Sequence, residues 1–590
     1  MFYIICFSLT AVPEASCRSQ IRTAQAVASE FGEVASSSGG VSKWARISLS
    51  NSERDVQQVV QNQGTKLMVP ITTIVADGVE IPWISPIDWL QFIVDRGLWH
   101  RLAGLTQNDK HMSPHVWSQF WDMQQKLQPH NSLFDDDNLR TAGDLGHVAA
   151  FYIHSDEGRT LKKNGIMITT LQSVLGFGFD DGRMKRNHDG TLRLRCNYVG
   201  HTFTTRFVLG AIPKKYYESK PKVFEAVIDI LSKQLEKLFH EGVYCKRTKK
   251  TYRICILGVK GDWPYLQKCG NLTRAFNTGV KRGTVNKAPK GTCHLCLSGY
   301  NDQFPGEEID TNRPQWLQTV GTLSPWDHTP SLVRRLCHDR SHPASFFLGD
   351  PWHTFHLGVG KSFVASTIQL CLQVMDGNLD AKWEWLTDNY KAFCRREKRQ
   401  SHVAKISGYL MSYGDKTGAV GAWSKGALTT NLMKWIPQLI EQLPADQEGL
   451  LQKCSRAAKD VNLMFTHLFS SPAFLDRNEA IHLSGLGASF LRIYAELAMS
   501  CYQKRHPFLY PMYPKLHSLH HMVLDLELSA HRCGFAASPL LTACQQDEDT
   551  IGKCSRLSRR VSARLTMRRT LERYLIQCHV AWVSAGIISV

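Results

Sequence analysis

The chain has 590 residues, more than one compact core usually holds, so several structural units or one fold with large insertions are expected. Hydrophobic residues make up 43% and charged residues 21%, a composition that excludes fibrous, collagen-like and mostly disordered proteins. The formal net charge of +18 favours an anionic partner, of which nucleic acid is the commonest, although a basic protein without such a partner would share this composition.

The cysteines and the apolar segments bear on the cellular environment. The 17 cysteines are scattered from Cys6 to Cys578, and only Cys293 and Cys296 are tightly spaced, which predicts reduced thiols and no disulfide framework. The apolar start MFYIICFSLTAV lacks a basic flank and is too short to span a bilayer, and no later run approaches twenty uncharged apolar residues. These features predict a soluble, intracellular protein without membrane contact.

The first 160 residues carry few strand signals. Residues 1–75 lack strong periodicity and include the Ser/Gly-rich stretch 35–42, so we expect a disordered or weakly ordered segment. Residues 76–160 are predicted to form an N-terminal helical region, because the residues after Pro86 alternate apolar and polar side chains at helical spacing.

Residues 161–290 have the pattern of a mixed sheet. Three strand-like segments come first, namely GIMITTLQSVLGFGF, TLRLRCNYV and HTFTTRFVLGAI. An amphipathic helix follows from Pro221 to Gly242, and YRICILGV then indicates a buried strand. Residues 291–513 are predicted to be mostly helical, and 514–590 to begin with a histidine cluster and end in a basic helix. The whole chain is therefore expected to be mixed α/β.

A carboxylate follows the last of these strands. Asp262 comes directly after a buried strand, and the carboxyl edge of a sheet is where ligands and metals bind in many α/β proteins. The alternative is that Asp262 only caps the following turn.

Cys293 and Cys296 have the spacing of a zinc site, since two thiolates two residues apart reach one ion from a tight turn. A tetrahedral site needs two more ligands, and the candidates are Cys337, His338, His353 and His356. Asp350 and His353 could instead bind metal together or anchor a helix. The alternative for the cysteines is a chance pair in the core.

The last segment combines histidines, acids and arginines. His517, His520 and His521 share one helical face, and the acids Asp547, Glu548 and Asp549 follow. Beyond them a basic stretch suits phosphate contacts, or forms a solvated helix; its candidate DNA-binding residues are Arg556, Arg559, Arg560, Arg564 and Arg568. Acids from separate regions could together hold two Mg²⁺ (or Mn²⁺) ions for phosphoryl transfer.

Several motifs, in this order, resemble the core of CACTA-type transposases. They are GDWPYLQKCGNLTRAF, KGTCHLCLSG, GDPWHTFHLGV, KLHSLHH, the acids at 547–549 and SRLSRR. The chain is also similar to transposon-derived proteins of dinoflagellate algae. The resemblance covers roughly residues 80–590.

The resemblance implies a ribonuclease H-like core in two parts, 161–290 and 514–590, interrupted by the helical insertion 291–513 with its structural zinc site. In that fold the first acid lies on the first strand, the second at the end of the fourth strand and the third on a late helix. Asp262 matches the second acid and Glu548 the third, while Asp180 or Asp181 is the candidate for the first. The implied function is metal-dependent DNA cleavage and transfer in the nucleus by a homo-oligomer, or DNA or chromatin binding by an inactive descendant.

Overall fold

The computed structural model of the protein describes residues 15–589, except 38–40, 51, 137–144, 161–163, 179–184, 188–189, 275–290, 301–302, 447, 505 and 507–508. Within these ranges the fold is mixed α/β, which confirms the expected fold class. The strands are, in chain order, β1 (Thr72–Ala76), β2 (Val79–Trp83), β3 (Val148–Arg159), β4 (Gly165–Ser173), β5 (Arg206–Pro213), β6 (Val243–Cys245), β7 (Lys250–Lys260), β8 (Phe474–Asp476) and β9 (Phe535–Ala537).

The helices surround these strands and fill the long segment before β8. In chain order they are α1 (Cys17–Ser37), α2 (Val41–Ala45), α3 (Ser52–Asn62), α4 (Pro86–Asp95), α5 (Trp99–Leu102), α6 (Ser113–Leu127), α7 (Pro221–His240), α8 (Trp263–Cys269), α9 (Ser331–Arg335), α10 (Gly360–Val374), α11 (Leu379–Arg396), α12 (Gly426–Ile440), α13 (Leu450–Ser470), α14 (Arg477–Gln503), α15 (Pro514–Cys533), α16 (Gln545–Leu557) and α17 (Thr566–Ser584). A π-helix, Trp352–Val359, leads into α10.

A five-stranded mixed sheet forms the centre, with the strand order β5-β4-β3-β7-β6. β3, β4 and β5 are a antiparallel meander, and β7 runs parallel to β3. The first eight residues of β3 and all nine of β4 are buried, as expected for strands with both faces covered. Helix α7 packs against β7, α16 against β3 and β4, and α17 against β5. The carboxyl ends of β3 and β7 therefore meet at one edge of the sheet, beside α16.

The sheet begins earlier in the chain than the sequence predicts. β3 lies inside the segment 76–160 that we expected to be helical, and β1 and β2 precede it as a hairpin. A central strand buried on both faces has an unbroken apolar run, VAAFYI, whose periodicity does not separate strand from buried helix. The predicted strand TLRLRCNYV is wrong as a ladder strand: its residues form isolated bridges, Leu175–Cys196 and Arg186–Leu192, within loops.

The first 75 residues also contain ordered elements. Helices α1, α2 and α3 share a small core around Ile21, Trp44 and Val60, and Ile576 of α17 belongs to the same cluster. The predicted weakly ordered segment therefore includes three helices that dock on the C-terminal helix.

The segment between α8 and α16 is mostly helical, in agreement with the expected insertion, and α12, α13, α14 and α15 pack in succession. The short strands β8 and β9 pair antiparallel on either side of α14 and α15. Residues Trp352–Val374 are long and apolar enough to cross a membrane by length and composition alone, but 72% of that helical window is buried inside the protein. This helix therefore has the properties of a core element.

Candidate active site and metal centre

The acid centre consists of Asp156, Asp262 and Glu548. Asp156 lies near the end of β3, where Glu157 N–H donates to its Oδ1 at 2.6 Å. Asp262 follows β7 and caps α8, accepting a hydrogen bond from Tyr265 N–H at 2.9 Å. The register pairs His154 with Lys260, so the chain brings the two aspartates to the same sheet edge. Glu548 reaches this edge from the first turn of α16.

Burial and mutual repulsion perturb all three acids. Burial raises the pKa of Asp156 to about 6, and the charge of Asp262 raises it further. Burial raises the pKa of Glu548 to about 9, with the neighbouring Asp156 carboxylate as the next cause. Burial also raises the pKa of Asp262. Like charges gathered in a partly desolvated place favour protonation, or a cation that neutralises them.

One oxygen of this centre lacks a hydrogen-bond partner. Glu548 Oε1 is buried without such a partner, 3.9 Å from His154 Nε2 and 3.8 Å from His353 Nε2. Burial lowers the pKa of His154 to about 4, so this histidine is neutral at pH 7 and does not balance the acids. Carboxylate oxygens of this kind are the ligands that Mg²⁺ accepts, so the donor set fits a divalent ion.

His353 is a charged neighbour of the acids. Its Nδ1 contacts Asp350 Oδ2 at 2.5 Å, and although burial alone would lower its pKa, Asp350 raises it to about 9. Asp350 is itself fixed, because it accepts hydrogen bonds from the backbone N–H groups of Trp352, His353 and Cys544. Both alternatives for this motif therefore contribute: Asp350 anchors the start of a helix and also orients a histidine toward Glu548.

A buried ion network supports α16 beneath the acid centre. Asp547 Oδ2 lies 2.8 Å from Lys260 Nζ, and its Oδ1 lies 3.3 Å from Arg206 Nε. Burial would raise the pKa of Asp547, but these two cations lower it to about 2. Lys260 also donates to the carbonyl of Ala543. The network ties the strands β5 and β7 to the helix that carries Glu548.

The Cys–His centre consists of Cys293, Cys296, His517 and His521. All four side chains are buried, and their ligand atoms lie within 4.8 Å of one another. Cys296 Sγ lies 3.3 Å from His517 Nε2 and 3.4 Å from His521 Nε2, and Cys293 Sγ lies 3.6 Å from His521 Nε2. A tetrahedral ion with Zn–S and Zn–N bonds of about 2.3 and 2.0 Å separates its ligands by roughly 3.5 Å. The predicted metal-ligating role of the cysteine pair is thus confirmed in geometry, and the group could hold zinc.

The electrostatics of this centre favour metal-ready ligands. Burial alone would raise the pKa of Cys293, but a hydrogen bond from Cys296 and the two histidines lower it well below its usual range. The Trp316 ring packs against both histidines, with centroid distances of 4.4 Å to His517 and 4.3 Å to His521. A preformed, closed ligand set of this kind is typical of structural zinc sites.

The structure corrects the remaining zinc ligands. Cys337 lies beside Cys255, His338 Nδ1 faces the carbonyl of Leu336, and His353 belongs to the acid centre. The positions that complete the group come from α15 instead, where His517 and His521 are four residues apart and share a face. His520, on the same helix, contacts the carbonyl of Thr311. Their distance of over 220 positions from the cysteines conceals this pairing in the sequence.

The first acid also differs from the expectation. Asp180 and Asp181 lie outside the described residues, whereas Asp156 lies with Asp262 and Glu548. The sequence signal for Asp156 was the apolar run VAAFYI followed by His-Ser-Asp, which has the same form as the strand before Asp262. The candidate catalytic role of these acids stays a prediction.

The basic C-terminal stretch is divided between two helices and the turn that joins them. Arg559 Nε contacts the carbonyl of Arg159 at the end of β3, and Arg564 is exposed. Arg568 pairs with Glu572 at 3.3 Å, which reduces its availability for phosphate. Arg556 ends α16, and Arg560 lies in the turn before α17. Of the predicted DNA-binding residues, Arg559 and Arg564 thus flank the acid edge with the least neutralisation.

Comparison with protein-family models and with curated proteins finds no match for this chain.

Proposed function

We propose that the chain is a transposase-like DNA-binding protein whose acid centre performs metal-dependent DNA strand cleavage and transfer. The observation that carries this proposal is the convergence of Asp156, Asp262 and Glu548, from three distant parts of the chain, at one sheet edge. Structural cores rarely gather unpaired carboxylates, because each buried charge has a desolvation cost.

The position of each acid supports a ribonuclease H-like core. Asp156 lies on the first strand of the central sheet, Asp262 follows its fourth long strand, and Glu548 lies on a late helix. This is the arrangement that the resemblance to CACTA-type transposases implies, with Asp156 in the place first given to Asp180 or Asp181. The helical insertion and the Cys–His centre between the second and third acids agree with the same proposal.

The chemistry follows from the charges. Two divalent ions, when bound, supply an activated water or 3′-hydroxyl and stabilise the leaving oxygen. The carboxylates of Asp156, Asp262 and Glu548 would hold them, which also relieves the repulsion among the acids. His353, oriented by Asp350, holds a proton at Nε2 beside Glu548 and can return it to the leaving oxygen. Arg559 and Arg564 contribute attraction for the DNA backbone.

The test is a plasmid-nicking assay of the full chain in Mg²⁺ or Mn²⁺. The variants are Asp156→Asn, Asp262→Asn and Glu548→Gln, each of which removes one charge with little change of shape. We expect each to lower nicking by roughly a thousandfold or more, since ion-bound transition states depend on every ligand. Asp549→Asn is the matched control, because Asp549 lies next to Glu548 but pairs with Lys553 and Thr202.

The outcomes separate two functions. Nicking by wild type that the three variants retain would exclude these acids as the catalytic residues. A wild-type chain that binds duplex DNA with strong salt dependence but never nicks would favour the second candidate, a non-catalytic DNA- or chromatin-binding protein on the same scaffold. The net charge of +18 and the exposed Arg564 support that second candidate independently of the acids.

A further inference from the structure

A second polar cavity, which we call the basic cavity, lies at the opposite edge of the central sheet from the acid centre. Its volume is about 640 Å³, and its wall is built by residues 94–101, 107–114, His147, the turn before β7 and residues 586–587. His147 immediately precedes β3, and Tyr252 lies in the first turn of β7's path, so the cavity faces the amino ends of these parallel strands. Strands rise about 3.3 Å per residue, which separates the cavity from Asp156 by roughly 25 Å.

The wall of the basic cavity carries one sign of charge. It contains four permanent cations and three histidines and no acidic residue; these are Arg96, Arg101, Lys110, Arg247, His100, His111 and His147. Among the described residues, none of the four cations forms an ion pair with a carboxylate. Burial lowers the pKa of His100, and the nearby Arg101 and Lys110 lower it further, as a positive potential requires.

One of these cations is held in position by the backbone. Arg247 donates from its guanidinium to the carbonyl of Val94 at 3.3 Å and lies against Gly97. A Cβ at position 97 would meet the guanidinium nitrogen at 2.5 Å, and the φ of +71° at this residue also suits glycine. The wall therefore holds Arg247 against the cavity at the expense of any side chain at position 97.

Two buried donors of the same wall have no hydrogen-bond partner. Trp99 Nε1 and Ser113 Oγ are both unpaired, although their residues are only 6% and 2% exposed. Buried polar groups are nearly always paired, so an unpaired donor in a cavity wall points to an absent acceptor. Together with the cations, the wall offers hydrogen-bond donors and positive charge.

We propose that the basic cavity is a binding site for a small polyphosphate anion, such as inorganic tripolyphosphate or the triphosphate of a nucleotide. Phosphate oxygens accept hydrogen bonds without donating, which matches a wall of guanidinium, ammonium, indole and hydroxyl donors. Four cations around one cavity call for a ligand with several negative charges, and the volume is in the range of small-ligand sites. This inference is independent of the proposed DNA chemistry, because the two centres lie at opposite edges of the sheet.

The test is isothermal titration calorimetry of the full chain with sodium tripolyphosphate, and separately with ATP, at an ionic strength of about 0.15 M to screen weak surface sites. We expect one saturable site. The double variant Lys110→Gln/Arg247→Gln should weaken binding about tenfold or more, because it removes two charge-assisted contacts. Lys110→Gln alone should weaken it less, and this exposed residue makes no described hydrogen bond, so the single variant guards against a folding defect.

Controls make the result specific. Lys126→Gln/Lys416→Gln removes the same total charge from exposed positions outside the cavity and should bind as wild type does. Asp156→Asn should also bind normally, so a failed nicking assay leaves this result untouched. ATP binding tighter than tripolyphosphate identifies a nucleotide, and equal binding identifies the phosphate chain as the recognised group.

Three results would overturn the proposal. The first is wild type without a saturable site for either anion, and the second is an equal loss of affinity in the Lys126/Lys416 control. The third is displacement of tripolyphosphate by a short DNA duplex, with the cavity variants equally weakened for DNA. That result would make the cavity part of a nucleic-acid surface and not a small-anion site.

Discussion

The acid centre and the Cys–His centre use similar numbers of side chains in opposite ways. In the Cys–His centre all four residues are buried and the ligand atoms lie within 4.8 Å of one another; among the described residues it is the one group of three or more possible ligands that meets this limit. The acids of the other centre are spaced more widely, and the Glu548 side chain remains 29% exposed. One centre is closed and ready for a single ion, and the other is open on one side.

This difference indicates different roles. A structural metal site satisfies its ion with protein ligands alone, whereas a catalytic site leaves positions open for water and substrate. The Cys–His centre draws its residues from two short motifs, so its ion would join α15 to the loop after α8. The acid centre instead stores repulsion that only an external cation or proton relieves.

The largest expected effect comes from opening the closed centre. Cys296→Ser or His517→Ala should reduce bound zinc from about one ion per chain to near zero and lower the melting temperature strongly, since structural zinc contributes on the order of 10 kcal/mol in small domains. Elemental analysis and calorimetric melting measure the two quantities. Cys533→Ser, at a partly exposed cysteine outside the group, is the control and should change neither. Full zinc content in both variants would contradict a tetrahedral site here.

The next effect concerns the support beneath the open centre. Asp547→Asn leaves Lys260 buried without its carboxylate, and breaking such a pair typically costs about 3–5 kcal/mol. Because the pKa of Asp547 falls from 3.8 to about 2 in the folded state, its contribution is present above pH 4 and is lost as the pH falls toward 2. Denaturant unfolding at pH 7 measures the loss. Asp549→Asn should unfold like wild type, and an equal loss in both variants would reduce the network to a surface pair.

The smallest effect distinguishes the two centres by pH and by cation. Glu548 is protonated in the metal-free fold up to a pKa of about 9, against 4.5 for the free side chain, so the stability it contributes is present below pH 4.5 and is lost as the pH rises through 9. Glu548→Gln should therefore melt higher than wild type at pH 8 without metal. Mg²⁺ should raise the melting temperature of wild type at pH 8 and leave the variant nearly unchanged.

The control for this measurement is the exposed Glu307→Gln, which should respond to Mg²⁺ as wild type does. If Mg²⁺ stabilises wild type and Glu548→Gln equally, the cation binds elsewhere and the contrast between the open and closed centres is lost.

Local sequence patterns located much of this architecture. The helix from Pro221 is present over Pro221–His240, and the strand before Asp262 is present over Lys250–Lys260. The pair Cys293 and Cys296 belongs to a metal-ligating group, as its spacing predicted. These features were accessible because helix periodicity, strand runs and CxxC spacing are encoded within a few consecutive residues.

Asp156 was missed because its strand is buried on both faces and resembles a buried helix in sequence. The helices of the first 75 residues were missed for another reason: they are stabilised by packing on α17, more than 500 residues away, and not by strong periodicity of their own.

The sequence by itself determined the mixed fold class, the strand that delivers Asp262, the cysteine pair and the basic charge. Only the tertiary structure decided the partners: which histidines face the cysteines, which aspartate joins Asp262 and Glu548, and which arginines surround the basic cavity. The reason is physical. A helix or strand is specified by neighbours in the chain, whereas a binding centre joins residues separated by hundreds of positions, and their proximity follows from how the elements pack.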